Sequence, residues 1–370
     1  MINWVKYKVS LKHLVLILII ALTGLLLTEI TIVKEPTVYY QLQYHASKTM
    51  SEAIDAIRTE KETRQIPINI QLDPNRTGLI GEEYTPITTT LGNLSAKRTS
   101  TNPDFAALMV KYFKQVNLTS GDVIAVGSSG SFPALLLATL SACEAVDIIP
   151  ITIYAIGASE YGANIPNFTF IDMLDTLNQK NIVNYSLAAV SMGGNQDQAE
   201  GMFFPESKEI IEQIAKEAGT IFIDNGSLEA NIQKRLEIYQ ERAAGKPIKL
   251  FVNIGGASAN FGNSTNSISF PNGLVRKVSE IPNTADRGLI FEFLEAGVPV
   301  IHLLNIRDLA LKNGIPIDPI PLPQIGQSEV FFQYNYRKWI AVITILGIAG
   351  IIYFLKKKIL KHNKNKIKNN

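Results

Sequence analysis

The run Gly127-Ser128-Ser129-Gly130-Ser131 lies between an apolar stretch at residues 123–126 and another that begins after Pro133. Glycine lets a backbone turn tightly and approach a ligand, and a helix starting just beyond such a turn offers unpaired N–H groups and the positive end of its dipole to an anion. Three chemistries are open to this loop: an anion or carboxylate site, a nucleophile with Ser129 or Ser128 as the attacking hydroxyl, or a plain strand-to-helix turn capped by serine. Ser131 stands where a G-x-S-x-G elbow has its second glycine, and no Gly-Lys-Ser/Thr follows, so a phosphate-binding P-loop is excluded.

A nucleophilic serine needs a base. Of the four histidines, His13 and His362 lie toward the chain ends and His45 precedes the main body, which leaves His302. It falls inside the apolar run 298–304, where its two readings are a satisfied core histidine and the base of a triad. No paired His or Cys ligands occur, and Asp197 or Asp224 alone makes only a weak oxygen site, so neither a metal nor a cofactor is expected. Cys143, the single cysteine, sits in an apolar stretch and reads as a small buried residue. Lys97 and Arg98, between the hydroxyl runs 88–90 and 99–101, form either a carboxylate clamp or a pair of solvated loop charges.

Similar loops recur downstream: residues 157–164 with Ser159 and Asn164, residues 191–195, residues 224–227 with Asp224 and Asn225, and residues 255–260 with Gly255, Gly256 and Asn260. Each follows a short apolar run, at residues 148–156, 186–190, 220–223 and 248–254. Around and between them lie stretches that read as helix, at residues 103–116, 170–179, 206–218, 228–244 and 287–296. Strands separated by helices imply right-handed crossovers, and so an α/β fold with a mainly parallel, doubly wound sheet covered by helices on both faces. In such sheets ligands bind outside the carboxyl ends of the strands, which is where all five loops fall. Gly127, Ser128, Ser129, Gly130, Ser131, Lys97, Arg98, Ser159, Asn164, Asp224, Asn225, Gly255, Gly256 and Asn260 are therefore the ligand-binding candidates.

Two further segments cross a membrane. Residues 13–33 and 337–355 are apolar runs close to the roughly 20 residues that a spanning helix needs. Lys6, Lys8 and Lys12 precede the first, and seven lysines follow the second. By the positive-inside rule both tails, residues 1–12 and 356–370, are cytoplasmic and the body lies outside, with Trp4, Trp339 and Tyr353 near the span ends. No small-x-small cleavage site follows the first run, so it reads as a retained anchor rather than a signal peptide.

Between the spans, residues 34–101 read as a stalk or packing helix (45–64) followed by a long polar loop, residues 102–315 as the α/β domain, and residues 316–336 as a proline-rich linker. Of 35 basic and 33 acidic residues, twelve bases and one acid lie outside residues 34–336, which leaves the body 23 bases, 32 acids and a net charge of −9. An acidic body flanked by basic tails fits membrane topology and anionic lipid, and excludes nucleic acid as a partner.

The string Thr88-Thr89-Thr90-Leu91-Gly92-Asn93-Leu94-Ser95-Ala96-Lys97-Arg98-Thr99-Ser100, with Asn102-Pro103-Asp104-Phe105-Ala106, the elements 127–135 and 157–164, and Gly255-Gly256-Ala257-Ser258-Ala259-Asn260, resembles the bacterial poly-γ-glutamate system protein family. The resemblance covers residues from about 66 to 311 with the flanking spans. It implies an accessory protein of the cytoplasmic membrane, working beside poly-γ-glutamate synthesis or export subunits, whose outer domain binds the polymer or a partner. It supplies no catalytic residues. The alternative is an extracytoplasmic serine hydrolase or transferase that trims, releases or attaches the polymer.

Overall fold

The computed structural model describes residues 10–263, 267 and 269–368. Trp4, Lys6 and Lys8 lie outside the described residues, as do the side chains of His362, Lys364, Lys366 and Lys368. Two compact units emerge, one from residues 1–37 with 332–370 and the other from residues 38–331.

The first unit holds helix α1 (Leu11–Ile30), strand β1 (Val33–Pro36), and, from the far end of the chain, β9 (Phe332–Asn335) and α12 (Lys338–Lys368). Leu11–Ile30 and Lys338–Lys358 are long and apolar enough to cross a membrane and leave nearly all of that surface uncovered, which is consistent with a two-pass membrane protein. Gly24 of α1 packs against Thr344 of α12 so closely that a Cβ at Gly24 would fall about 2.3 Å from the threonine hydroxyl oxygen. Small residues allow helices to approach this way where hydrophobicity cannot drive them together. β1 and β9 pair antiparallel from Val33 opposite Asn335 to Pro36 opposite Phe332.

The second unit comprises α2 (Tyr40–Thr63), α3 (Leu94–Ser100), α4 (Asp104–Gln115), β2 (Val123–Ser129), α5 (Pro133–Val146), β3 (Ile149–Ala155), α6 (Phe170–Gln179), β4 (Leu187–Ser191), α7 (Ser207–Glu217) and β5 (Ile221–Ile223). It continues with α8 (Leu228–Ala243), β6 (Ile248–Ile254), α9 (Ser258–Phe261), β7 (Gly273–Val275), α10 (Leu289–Glu295), β8 (Val300–Leu303) and α11 (Ile306–Lys312). The seven-stranded sheet has the order β5-β4-β3-β2-β6-β8-β7. All neighbours are parallel except β7, which lies antiparallel to β8 at the edge. From β2 the chain steps outward through β3, β4 and β5, then returns to the other side of β2 for β6 and β8.

Local sequence explains the helices. α5 is apolar on every side and starts with Pro133, whose missing N–H costs nothing at a first helical position. Its side chains are almost all buried, so it is a central helix rather than a surface one. α6 opens with a capping box in which Thr169 and Asp172 each accept from the other's backbone. α8 is capped by Ser227 and sends Ile232 and Tyr239 into a cluster with Val123, Ile153, Phe251 and Phe293.

Of the two readings of residues 45–64 the packing helix holds, and one further segment differs from the sequence reading. α2 is a packing helix of the body, with Ala46, Met50, Ala53, Ile54 and Ile57 buried against α4 and α5, so the compact unit begins well before residue 102. The stretch 67–100 is not loop throughout, because its last seven residues form α3, started by Asn93, whose side chain accepts from the Ala96 N–H at 2.9 Å. The proline-rich linker is likewise fastened to the body at several points: Asp318 accepts from Nε and Nη2 of Arg98 at 2.7 and 2.5 Å, the Asn75 amide donates to the Pro319 carbonyl at 2.8 Å, and the Gln43 amide donates to the Val330 carbonyl at 2.9 Å.

Candidate ligand cleft at the carboxyl ends of the strands

A cleft of about 820 Å³ opens where β2, β3, β4, β6 and β8 end. Its wall takes Ser129 and Ser131 from the end of β2, Gly157 and Ser159 from the loop after β3, Asn195 and Glu200 from the loop after β4, Gly256 and Ser258 from the loop after β6, and Asn305 and Arg307 from the start of α11. A further side is made by Thr89 to Thr99, which includes Lys97 of α3.

The loops meet closely because glycines stand where side chains would collide. A Cβ on Gly130 would lie about 2.7 Å from the Ile156 carbonyl oxygen, and one on Gly127 about 2.5 Å from the Asn260 amide. The loop after β4 needs a different device. Gly193, Gly194, Gln196, Asp197, Ala199 and Gly201 all adopt left-handed φ values, and the turn is anchored by buried Asp197. Asp197 accepts from the Ser191 hydroxyl at 2.8 Å and the Gly193 N–H at 3.1 Å, and pairs with buried Arg235 at 2.8 Å.

Lys97 dominates the electrostatics. Its side chain is 2 % exposed, its Nζ donates to the Ser131 carbonyl and lies 2.6 Å from Ser159 Oγ, and it sits 4.0 Å above the Phe132 ring. Burial pushes the ammonium down to about 7, against the opposing pull of the Glu160 carboxylate. The Ser159 N–H donates to Ser131 Oγ at 3.0 Å, so the two serines and the lysine form one hydrogen-bonded group. At the mouth, Arg307 is exposed and forms no ion pair among the described residues.

The sequence candidates therefore divide. Ser129, Ser131, Ser159, Lys97 and Gly256 reach the cleft. Gly127, Gly130 and Gly255 shape it from behind; Gly255, at φ +81°, packs against the Ser129 hydroxyl. Ser128 is buried with its hydroxyl donating to the Ser129 carbonyl, so it is no nucleophile. Lys97 and Arg98 do not form a joint clamp, because Arg98 turns away to Asp318 while Lys97 turns in. Asn164 stitches the 157–164 loop to residues 82–88 through Glu82 and Thr88. Asn225 bonds to Asn231 of α8 and Asp224 is exposed, both away from the cleft lining. Asn260 is buried beneath Gly127.

His302 is a core histidine. It stacks on Phe261, meets the edge of Phe270 and hydrogen-bonds through Nδ1 to Asn253 at 2.8 Å. Burial lowers its basicity to about 4, so it is neutral at physiological pH, and it is absent from the cleft lining.

Comparison with protein families, with curated proteins and with solved structures returns no match. The cleft is therefore interpreted from its own chemistry. Arg307 and Asn305 escaped the sequence reading, although Asn305 with Asp308 three residues on is a legible helix start: the Asn305 side chain accepts from the Asp308 N–H at 3.1 Å.

Proposed function

We propose that this chain is an accessory membrane protein of poly-γ-glutamate synthesis or export, and that the cleft binds a carboxylate-bearing ligand, the polymer's own repeat being the best fit. The observation that carries the binding step is Arg307, exposed on the cleft lining and without an ion pair among the described residues. An arginine fork takes a carboxylate in two parallel hydrogen bonds, and small hydroxyl and glycine residues around it leave room for backbone-like amides. The body's net charge of −9 makes attraction local rather than long-range, so a polymer end or short stretch is held in preference to a broad run of charge.

In this reading the sheet is doubly wound, and the cleft lies at its switch point between β2 and β6, where such sheets bind ligands. Both tails are cytoplasmic and the body is outside the bacterial cytoplasmic membrane, as the lysines at the two ends support. A body on that side has no ATP supply, which favours work on emerging or finished polymer over work on an activated precursor. The pathway assignment rests on the sequence resemblance.

Titration of the detergent-solubilised full chain with γ-linked glutamate oligomers tests the binding step. Loss of a charge-assisted contact worth about 1.5–3 kcal/mol predicts that Arg307→Ala weakens binding by roughly 10- to 100-fold. Equal affinity in the two proteins removes Arg307 from the site, and no binding by the wild type overturns the proposal.

A further inference from the structure

The arrangement around Lys97 goes beyond binding. An amine serves as a proton acceptor only when it is neutral, near its target and shielded from bulk water, and serine hydrolysis by Ser–Lys pairs depends on those conditions. Lys97 Nζ lies 2.6 Å from Ser159 Oγ, on the wall of an open cleft. Its other hydrogen-bond partner is the Ser131 carbonyl, and the Phe132 ring closes one side, so no carboxylate among the described residues neutralises it by direct contact. Ser159 is fixed in turn by its own N–H, which donates to Ser131 Oγ. The amino end of α5, a helix of 14 residues, begins at Phe132-Pro133 next to Ser131, and its dipole favours negative charge building up nearby.

We propose that Ser159 is a nucleophile and Lys97 its general base, making the cleft an acyl-transfer site for amides whose free carboxylates are held by Arg307. This rests on the carboxylate-binding reading above and adds chemistry to it. Ser159 Oγ attacks the amide carbonyl carbon while its proton passes to neutral Lys97 Nζ. The tetrahedral adduct then collapses with cleavage of the C–N bond, and the Lys97 ammonium returns the proton to the departing amine. An ester on Ser159 remains. Water attacks that ester, giving one proton to Lys97, and the proton goes back to Ser159 Oγ as the acid leaves. The depressed basicity of Lys97, near 7, keeps a large neutral fraction at physiological pH.

Ser129, one of the two serines the sequence offered as nucleophile, is less well placed: its hydroxyl packs against Gly255 and receives only a long 3.4 Å contact from the Ser131 N–H. The hydroxyl beside the amine is that of Ser159.

The test uses the full chain in detergent with an alkyl fluorophosphonate, followed by intact mass and peptide mapping. The expected result is a single adduct on Ser159, abolished in Ser159→Ala and slowed more than 100-fold in Lys97→Met. The labelling rate should rise with pH around a midpoint near 7, Glu160 being the carboxylate that acts on the amine and Glu200 and Arg307 the other charged residues of the cleft lining. If Lys97→Met does not fold, Lys97→Arg takes its place, since it keeps a charge and donors but cannot lose a proton at neutral pH. Labelling of Ser159 that persists in the lysine variant reduces Lys97 to a structural pin and overturns the proposal. Binding of γ-linked glutamate oligomers is measured on the same preparations. Binding without any adduct overturns the nucleophile alone, whereas absence of both overturns the binding reading beneath it.

Discussion

Arg235 and Asp197, both sealed from solvent, pair at 2.8 Å and hold the strained loop after β4 against α8. Asp197 also accepts from Asn231 Nδ2 at 3.2 Å, and Arg235 donates to the Ser191 hydroxyl at 2.5 Å, so the charge pair is the hub of a network and not an isolated bridge. Removing one member leaves a buried charge uncompensated. Arg235→Met is expected to cost about 3–5 kcal/mol in denaturant unfolding, and the double variant with Asp197→Asn to recover part of that loss. An Arg235→Met protein as stable as the wild type contradicts the network.

Lys97 couples stability to alkaline pH. Its folded-state basicity lies near 7, below the ordinary 10.5, so between those values the unfolded chain binds a proton that the folded chain does not. Stability must therefore rise as pH climbs from about 7 to 10.5, and the cost of charging the buried amine is fully present below 7. Compared with Lys97→Met, the wild type should gain about 1.4 kcal/mol per pH unit at the steepest part of that window. Parallel stability curves for the two proteins would place the amine in water.

His302 acts in the acid range in the same sense. Held neutral down to about 4 rather than 6.5, it makes the folded state lose ground as pH falls through that interval, by about 1.4 kcal/mol per unit at most. Unfolding of the wild type and of His302→Gln, followed from pH 7 to pH 4, should show the loss in the wild type alone.

Gly130→Ala tests how tightly the loops are set. The new methyl would lie about 2.8 Å from the Ala158 Cβ and about 2.7 Å from the Ile156 carbonyl oxygen, and backbone cannot yield as a flexible side chain can. A loss of about 1–3 kcal/mol in thermal unfolding, with weaker oligomer binding, is expected.

Cysteine scanning with a membrane-impermeant maleimide decides topology. Cys143 is buried and stays silent. Lys180→Cys, exposed at the end of α6, should label on intact cells, whereas Lys12→Cys and Lys357→Cys should label only after permeabilisation. The reverse pattern inverts the orientation.

Where several local signals coincide, sequence and structure agree closely. α6 was expected at residues 170–179 and is found at Phe170–Gln179, because its capping box and its apolar spacing mark the same ends. Each of the five parallel strands preceding a small-residue loop was legible from its apolar run. α3 and β7 were not: they are short, and their position is set by partners elsewhere in the chain, as Arg98 by Asp318 and Gly273 by His302. The site follows the same rule. Glycine and serine at strand ends announced Ser129, Ser131, Ser159 and Gly256, but the direction of a side chain is a tertiary fact. Nothing local separates Lys97, turned inward to Ser159, from Arg98, turned outward to Asp318.

The pairing of β1 with β9 gives the chain an order of events. Val33 and Asn335 meet across some 300 residues of intervening sequence, so on a ribosome this two-stranded ribbon forms only after everything between has been made. The body between the strands is complete before the second apolar helix has been synthesised. The ribbon then closes last, and translation that stalls within the middle leaves β1 without its partner strand.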